Sequence, residues 1–162
     1  MTKDKHPVTA AVRALREHGV EFTHHPYEYE ERGGTEVSAR ELGVDEHAVI
    51  KTLIMEDEQK RPLVVLMHGD RAVSTKNLAR LLNVKTIAPC APAVADRHSG
   101  YQVGGTSPFG LKRGLPVYLE ATIAELPRIY INGGKRGYLV GIAPADLIRV
   151  LKPQRVSVAV DP

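Results

Sequence analysis

Two apolar runs rich in β-branched residues, 48–55 (AVIKTLIM) and 62–68 (PLVVLMH), are separated only by the polar stretch 56–61 (EDEQKR). Runs of this length bounded by polar residues read as strands, and two so close in the chain read as a hairpin. The chain is thereby committed to a sheet containing strands that are apolar on both faces. Lys51 interrupts the first run. On a strand it shares a face with Val49, Leu53 and Met55, while Ile50 and Ile54 cover the other face. A lysine in that setting must reach solvent from the strand end, find a partner, or line a cavity. The run itself leaves all three open.

The remaining pattern alternates between helix and strand. Pro7 opens a helix in which Val8, Val12 and Leu15 recur on one face until Gly19 ends it. Residues 21–29 read as short and extended, carrying Phe22 and Tyr27. Gly33 and Gly34 break the chain before a helix over 35–42, with Thr35 as N-cap and Gly43 just beyond its end. Ser74 or Thr75 caps a helix through Leu82 that turns Leu78, Leu81 and Leu82 inward. Pro89 and Pro92 flank another short helix that ends before Ser99. Strands are expected at 115–119, 128–131 and 138–142, then a helix from Pro144 through Leu151 and a terminal strand over 156–160. Without strict βα alternation, this order favours a single α+β domain with a mixed or antiparallel sheet.

At 162 residues, 43% hydrophobic and 25% charged, the chain has the size and composition of one globular domain with a real core, spanning residues 1–162. No apolar run approaches a membrane span, and the N-terminus Met-Thr-Lys-Asp-Lys-His-Pro has no apolar signal core. The single cysteine, Cys90, cannot form an internal disulfide, so a reducing cytoplasm is the expected location. Its small apolar neighbours mark it as structural filling, not a nucleophile. The net charge of +3 permits a polyanionic partner without demanding one. An aromatic content of 5% with no tryptophan argues against a broad base-stacking platform.

Two glycine-rich stretches stand out, 100–112 (GYQVGGTSPFGLK) and 130–137 (YINGGKRG). Glycine pairs beside Ser, Thr, Lys and Arg let bare backbone approach a ligand and offer N–H donors to an oxyanion or phosphate. Neither stretch is a P-loop or a dinucleotide fingerprint. Either one alone reads equally well as a turn with solvated lysines; the two together favour a binding surface. Lys112, Arg113, Lys135 and Arg136 lie beside them, as a solvated face or as a basic rim suited to phosphates. The seven histidines show no HExxH spacing, and the adjacent His24 and His25 point to opposite faces of a strand. No metal site and no cofactor are expected.

Taken in order, Tyr27 in His-Pro-Tyr-Glu, Lys51 in Val-Ile-Lys-Thr-Leu, the 100–112 segment and Gly133-Gly-Lys-Arg-Gly137 resemble the YbaK/EbsC aminoacyl-tRNA deacylases. That family also includes Cys-tRNA(Pro) deacylases and prolyl-tRNA synthetase editing domains. The resemblance covers about residues 12–151 and is nearest the freestanding type. It implies a curved, barrel-like mixed sheet with helices outside it. It further implies hydrolysis of the ester joining a mischarged amino acid to the 3′ end of tRNA, with Cys-tRNA(Pro) as first substrate. The implied partners are the aminoacyl-tRNA acceptor end and prolyl-tRNA synthetase.

By the same resemblance Lys51, Tyr27, Gly104 and Gly105 are catalytic, and Thr106, Ser107, Pro108, Lys112, Gly133, Gly134, Lys135 and Arg136 bind substrate. Lys51 would act as an orienting cation or as a general base with a lowered pKa. The Gly104–Gly105 loop would present N–H groups to the substrate carbonyl, and the substrate's own thiol or ribose hydroxyl would supply the attacking or positioning group. Ser107 is not in a GxSxG elbow and reads as a hydrogen-bonding residue. One departure matters: Leu139 stands where the family pattern has an Asp, which bears on the amino acid removed. The rival reading is a non-catalytic module that docks on tRNA or on prolyl-tRNA synthetase.

Overall fold

The computed structural model describes residues 6–162. The expected lack of a signal core falls mostly on residues 1–5, outside the described ones. The first half contains α1 (Ala10–Glu17), β1 (Thr23–Pro26), α2 (Gly34–Leu42), β2 (Val49–Asp57), β3 (Pro62–His68), β4 (Ala72–Val73) and α3 (Thr75–Leu82). The second contains β5 (Ile87–Pro89), α4 (Pro92–Ser99), β6 (Val117–Glu120), β7 (Ile129–Lys135), β8 (Tyr138–Ile142), α5 (Pro144–Leu151), β9 (Gln154–Val156) and β10 (Ala159–Val160).

β2 and β3 form the expected hairpin, paired from Ile50↔His68 to Glu56↔Pro62. Its turn is closed by Asp57, whose Oδ1 accepts from the N–H groups of Gln59 and Arg61 and whose Oδ2 accepts from Arg61 Nε at 2.7 Å. The sheet grows outward in the order β1-β8-β7-β2-β3-β6-β9, with β5 also on β2. The β2–β7, β3–β6 and β6–β9 pairs are parallel and the others antiparallel, so the domain is α+β with a mixed sheet. The strand path ends at β1 and β9, and no pairing among the described residues joins these ends into a closed barrel. β4 and β10 make a separate two-stranded pair.

The hairpin is apolar on both faces because both are covered. α1 packs Ala11, Val12 and Leu15 into a cluster with Ile50, Ile54, Val64, Leu66, Ile131 and Val140. On the other face, Leu78 and Ala79 of α3 meet Met55, Leu63, Val65 and Met67, while Ala39 of α2 meets Val49 and Leu139. No helix among the described residues is long and apolar enough to cross a membrane.

Several local expectations are corrected. α1 begins at Ala10, not Pro7, because the Thr9 hydroxyl accepts from the Val12 N–H at 3.0 Å; Val8 lies outside the helix and is exposed. Gly33, not Thr35, is the N-cap of α2, since the Thr35 hydroxyl is turned to Glu46 Oε2 (2.7 Å) and the Gly69 carbonyl (3.1 Å). Leu81 is 58% exposed; α3 buries Leu78 and Ala79. The terminal strand is two strands in different sheets. The Glu120 carboxylate accepts from the N–H groups of Val158 (2.7 Å) and Ala159 (3.0 Å), diverting the chain between β9 and β10. Finally, β7 runs on through Gly133, Gly134 and Lys135, so only Arg136 and Gly137 form the turn.

Candidate active site

β2 has one edge with a gap. Beside β3 it is paired throughout, but β7 meets it only at Val49 and Ile50, and β5 only from Met55 to Asp57. β7 leaves because it bulges: the Asn132 Oδ1 accepts from the N–H groups of Gly134 (2.7 Å) and Lys135 (3.1 Å), and the register with β8 shifts between Asn132 and Lys135. The next residues along the two strands, Lys51 and Asn132, both line the space where the strands have parted. The gap opens into a cleft of about 720 Å³. Its walls are α2 (Thr35, Val37, Ser38), the loop after α4 (Gln102, Val103, Gly104, Thr106), the β7–β8 hairpin (Asn132, Arg136, Leu139) and the Tyr27–Tyr29 segment.

Lys51 is half-buried in the β2 wall. Burial lowers its pKa below the ordinary 10.5, while Glu46 and Asp70 oppose that shift. Tyr27 enters from β1, with its N–H donating to the Gly137 carbonyl at 2.9 Å, and packs with Val49 and Leu139. Burial raises its phenol above the ordinary 10.0. Gly104 has φ +93°, and a Cβ there would stand 2.7 Å from the Tyr29 hydroxyl, so glycine is required. Gly105 serves close approach: a Cβ would sit 2.7 Å from the Arg136 main-chain nitrogen. Its own N–H donates to the Gln102 carbonyl at 2.7 Å, which closes the turn and takes that donor away from the cleft.

Arg136 pins this loop. Its Nε donates to the Val103 carbonyl at 2.9 Å, and its guanidinium lies over the Tyr29 ring, 5.1 Å from the centroid. Asn132 Nδ2 donates to the Gly104 carbonyl at 3.1 Å, and Asp96 accepts from the Val103 N–H at 3.0 Å. Asn132, Tyr29 and Asp96 were not singled out from sequence. Only Asn132 carries a local signal, an Asn before two glycines that can bond nearby main chain.

The structure thus brings Tyr27, Lys51, Gly104, Thr106 and Arg136 to one cleft. Other expected site residues do not line it. Ser107 is fully buried, its Oγ accepting from the Phe109 N–H at 3.1 Å, and Pro108 is buried beside it. Gly133 packs on the Tyr138 ring, and its carbonyl accepts from the Thr9 hydroxyl. Gly134 is held by Asn132, whereas Lys112 and Lys135 are exposed outside the cleft. Cys90 lines the cleft, but burial, with Glu56 beside it, pushes its thiol up to about 11, far from a thiolate at neutral pH. Leu139 is a buried apolar part of the wall.

Known proteins resemble this chain in sequence and in fold. The aminoacyl-tRNA editing domain matches residues 30–150. A protein of Enterococcus faecalis named "Putative Cys-tRNA(Pro)/Cys-tRNA(Cys) deacylase EbsC" is 26% identical over 147 residues, covering 90% of each chain. A proline–tRNA ligase of Thermodesulfovibrio yellowstonii is 30% identical over 126 residues, which cover 70% of this chain but 21% of the ligase. In three dimensions the fold matches the crystal structure of hypothetical protein APE2540 with a TM-score of 0.85 at 19% identity, over 93% of this chain and 99% of that one. With the editing-domain match covering most of the chain, from residue 30 to 150, the chain belongs to the aminoacyl-tRNA editing domain family, within its YbaK/EbsC group.

Proposed function

We propose that this protein is a trans-acting deacylase that hydrolyses the ester of a mischarged aminoacyl-tRNA, with Cys-tRNA(Pro) as first substrate. The observation that carries this reading is Lys51, a half-buried lysine on the bare edge of a central strand, facing a cleft large enough for an aminoacylated ribose. As an ammonium it orients the ester and stabilises negative charge developing on the carbonyl oxygen. Glu46 and Asp70 support the charged form against burial. Gly104, whose N–H makes no bond among the described residues, is a second donor for that oxygen.

The protein's own candidate nucleophiles are poorly placed. Ser107 is buried with its oxygen engaged, and Cys90 is held as the thiol. The attacking group then comes from outside the protein: in this reading it is water, positioned by the substrate's own thiol or ribose hydroxyl, with direct attack by that thiol or hydroxyl as the alternative. The water adds to the ester carbon, the C–O bond to ribose breaks, and the ribose oxygen leaves as the hydroxyl. The wall formed by Tyr27, Val37 and Leu139 suits a small, weakly polar side chain such as cysteine's. The name of the Enterococcus relative and the partial match to proline–tRNA ligase support cysteine, tRNA(Pro) and association with prolyl-tRNA synthetase.

The test is a panel of aminoacyl-tRNAs labelled in the amino acid, incubated with the protein with and without prolyl-tRNA synthetase. Fastest release from Cys-tRNA(Pro) is expected. Release of another amino acid would change the substrate, and binding without release from any tRNA would make the protein a docking module.

A further inference from the structure

The gap in β2 is one residue wide, and that width specifies a ligand. Backbone groups of a strand point alternately to its two edges. Val49 accepts from the Gly69 N–H at 2.7 Å and Asp57 donates to the Arg61 carbonyl at 3.2 Å, both on the β3 side. Residues 49, 51, 53, 55 and 57 therefore bond towards β3, and Ile50, Thr52, Ile54 and Glu56 towards the opposite edge. There Ile50 meets β7, the Ile54 carbonyl accepts from the Cys90 N–H at 3.0 Å, and Glu56 meets β5. Among the described residues Thr52 pairs with neither strand.

Both flanking strands have a physical reason to stop short. β7 is pulled away by the Asn132 bulge, so no described β7 residue pairs with Thr52. On the other side β5 ends at Pro89 and the chain turns into α4 at Pro92, so after the Cys90–Ile54 bond no strand continues towards Thr52. Among the described residues the Thr52 hydroxyl is also buried without a hydrogen-bond partner. In this wall of the cleft, then, Thr52 has a hydroxyl without a hydrogen-bond partner and a main chain without a strand partner on the cleft-side edge, among the described residues.

A ladder gap of one residue is filled by one residue. The aminoacyl group of a charged tRNA carries an α-ammonium donor and a carbonyl acceptor, spaced as in a single residue of an extended strand. Resting on the aminoacyl-ester reading above, we propose that Thr52 is a substrate-binding residue: its carbonyl accepts from the α-ammonium and its N–H donates to the acyl carbonyl, pairing the amino acid to β2 as a one-residue strand. This contact uses only atoms common to all α-amino acids, leaving side-chain choice to the Tyr27, Val37 and Leu139 wall. It also holds the ester carbon beside Lys51.

The experiment uses ¹⁵N-labelled full-length protein and two stable amide-linked probes, 3′-cysteinylamino-3′-deoxyadenosine and its analogue lacking the α-amino group. In the free protein the Thr52 amide should exchange with solvent about a hundredfold faster than the amides of Lys51 and Leu53, which pair with β3. The cysteinyl probe should shift and protect it, and the analogue should bind about tenfold more weakly for loss of a charge-assisted bond. A Thr52 amide already protected in the free protein, a cysteinyl probe that does not bind, or one that binds without protecting Thr52 would each overturn the proposal. Deacylation of Cys-tRNA(Pro) by the same sample separates the two readings. Turnover with an unprotected Thr52 sinks this inference alone; protection without turnover sinks the catalytic reading and leaves Thr52 as a binding residue.

Discussion

The two edges of β2 are built from the same nine residues and have opposite fates. Beside β3, each residue from Ile50 to Glu56 has a partner, and the side chains around that ladder, such as Val64, Val65, Leu66 and Met67, are fully buried. Beside β7 and β5, pairing exists only at the ends, and the middle faces a cleft holding a desolvated lysine. A ladder edge without a partner is ordinarily a liability in a sheet. Here it is sheltered inside a cleft and held in place by the packed edge behind it. The lesson is that this site is made by withholding a neighbour from a central strand, so its geometry inherits the rigidity of the core.

The sharpest way to break that contrast is Lys51→Met. Deacylation should fall by about a thousandfold, the upper range for losing one charge-stabilising group, while circular dichroism stays unchanged. Because burial lowers the folded-state pKa of Lys51 below its unfolded value, the charged lysine is disfavoured by folding at neutral pH. That cost fades as pH rises through the ordinary 10.5, so the variant should melt at or above the wild-type temperature near neutrality, with the advantage shrinking in alkali. Wild-type kcat/KM should fall as pH climbs through the lowered pKa; a rise there would make Lys51 a base. Near-full activity in folded Lys51→Met would remove the site from this edge.

The opposite edge should respond in stability. Leu66 is fully buried in the α1 cluster, and Leu66→Ala should cost about 3 kcal/mol in urea unfolding. Turnover per folded molecule should change little; a large loss of turnover with small loss of stability would mean the edges do not divide labour.

Smaller again is Gly105→Ala, whose Cβ would press on the Arg136 main chain and lift the 102–106 loop off the hairpin. A displacement of that kind should lower kcat by about tenfold, with tRNA binding by filter retention nearly unchanged. Normal turnover would show that the loop only closes the fold. The smallest effect is expected at Cys90. With its thiol pushed up to about 11, Cys90→Ala and alkylation of the wild type should leave turnover intact in the labelled-tRNA assay. Loss of turnover in a folded Cys90→Ala protein would make this a thiol hydrolase.

What was legible in the sequence was local. The hairpin and β8 were carried by apolar runs, α5 by Pro144 at its first turn, and the end of α2 by Gly43 in its left-handed conformation. Lys51 and Tyr27 were legible as candidates through the family resemblance, and the fold places both on one cleft. Errors arose where two local signals competed or a distant side chain intervened. Thr9 capped α1 in place of Pro7, Thr35 turned to Glu46 and Gly69, and Glu120 split the terminal strand by taking the N–H groups of residues nearly forty positions away.

By itself, then, the chain determined which segments become strands and helices, since those choices depend on side-chain periodicity and caps within a few residues. Only the tertiary structure decided which strand lies beside which, and for how many residues. The Asn132 bulge ends one ladder, and the turn into α4 at Pro92 ends the other, yet nothing in either residue names β2 as the strand left bare. The same holds for the glycine-rich loop after α4, where the resemblance implied catalytic roles for Gly104 and Gly105 and substrate binding for Ser107. Packing turned Ser107 into the core and engaged the Gly105 N–H in a turn, leaving Gly104 facing the cleft. Partner choice between strands is settled by burial across the whole domain, a quantity that no window of sequence contains.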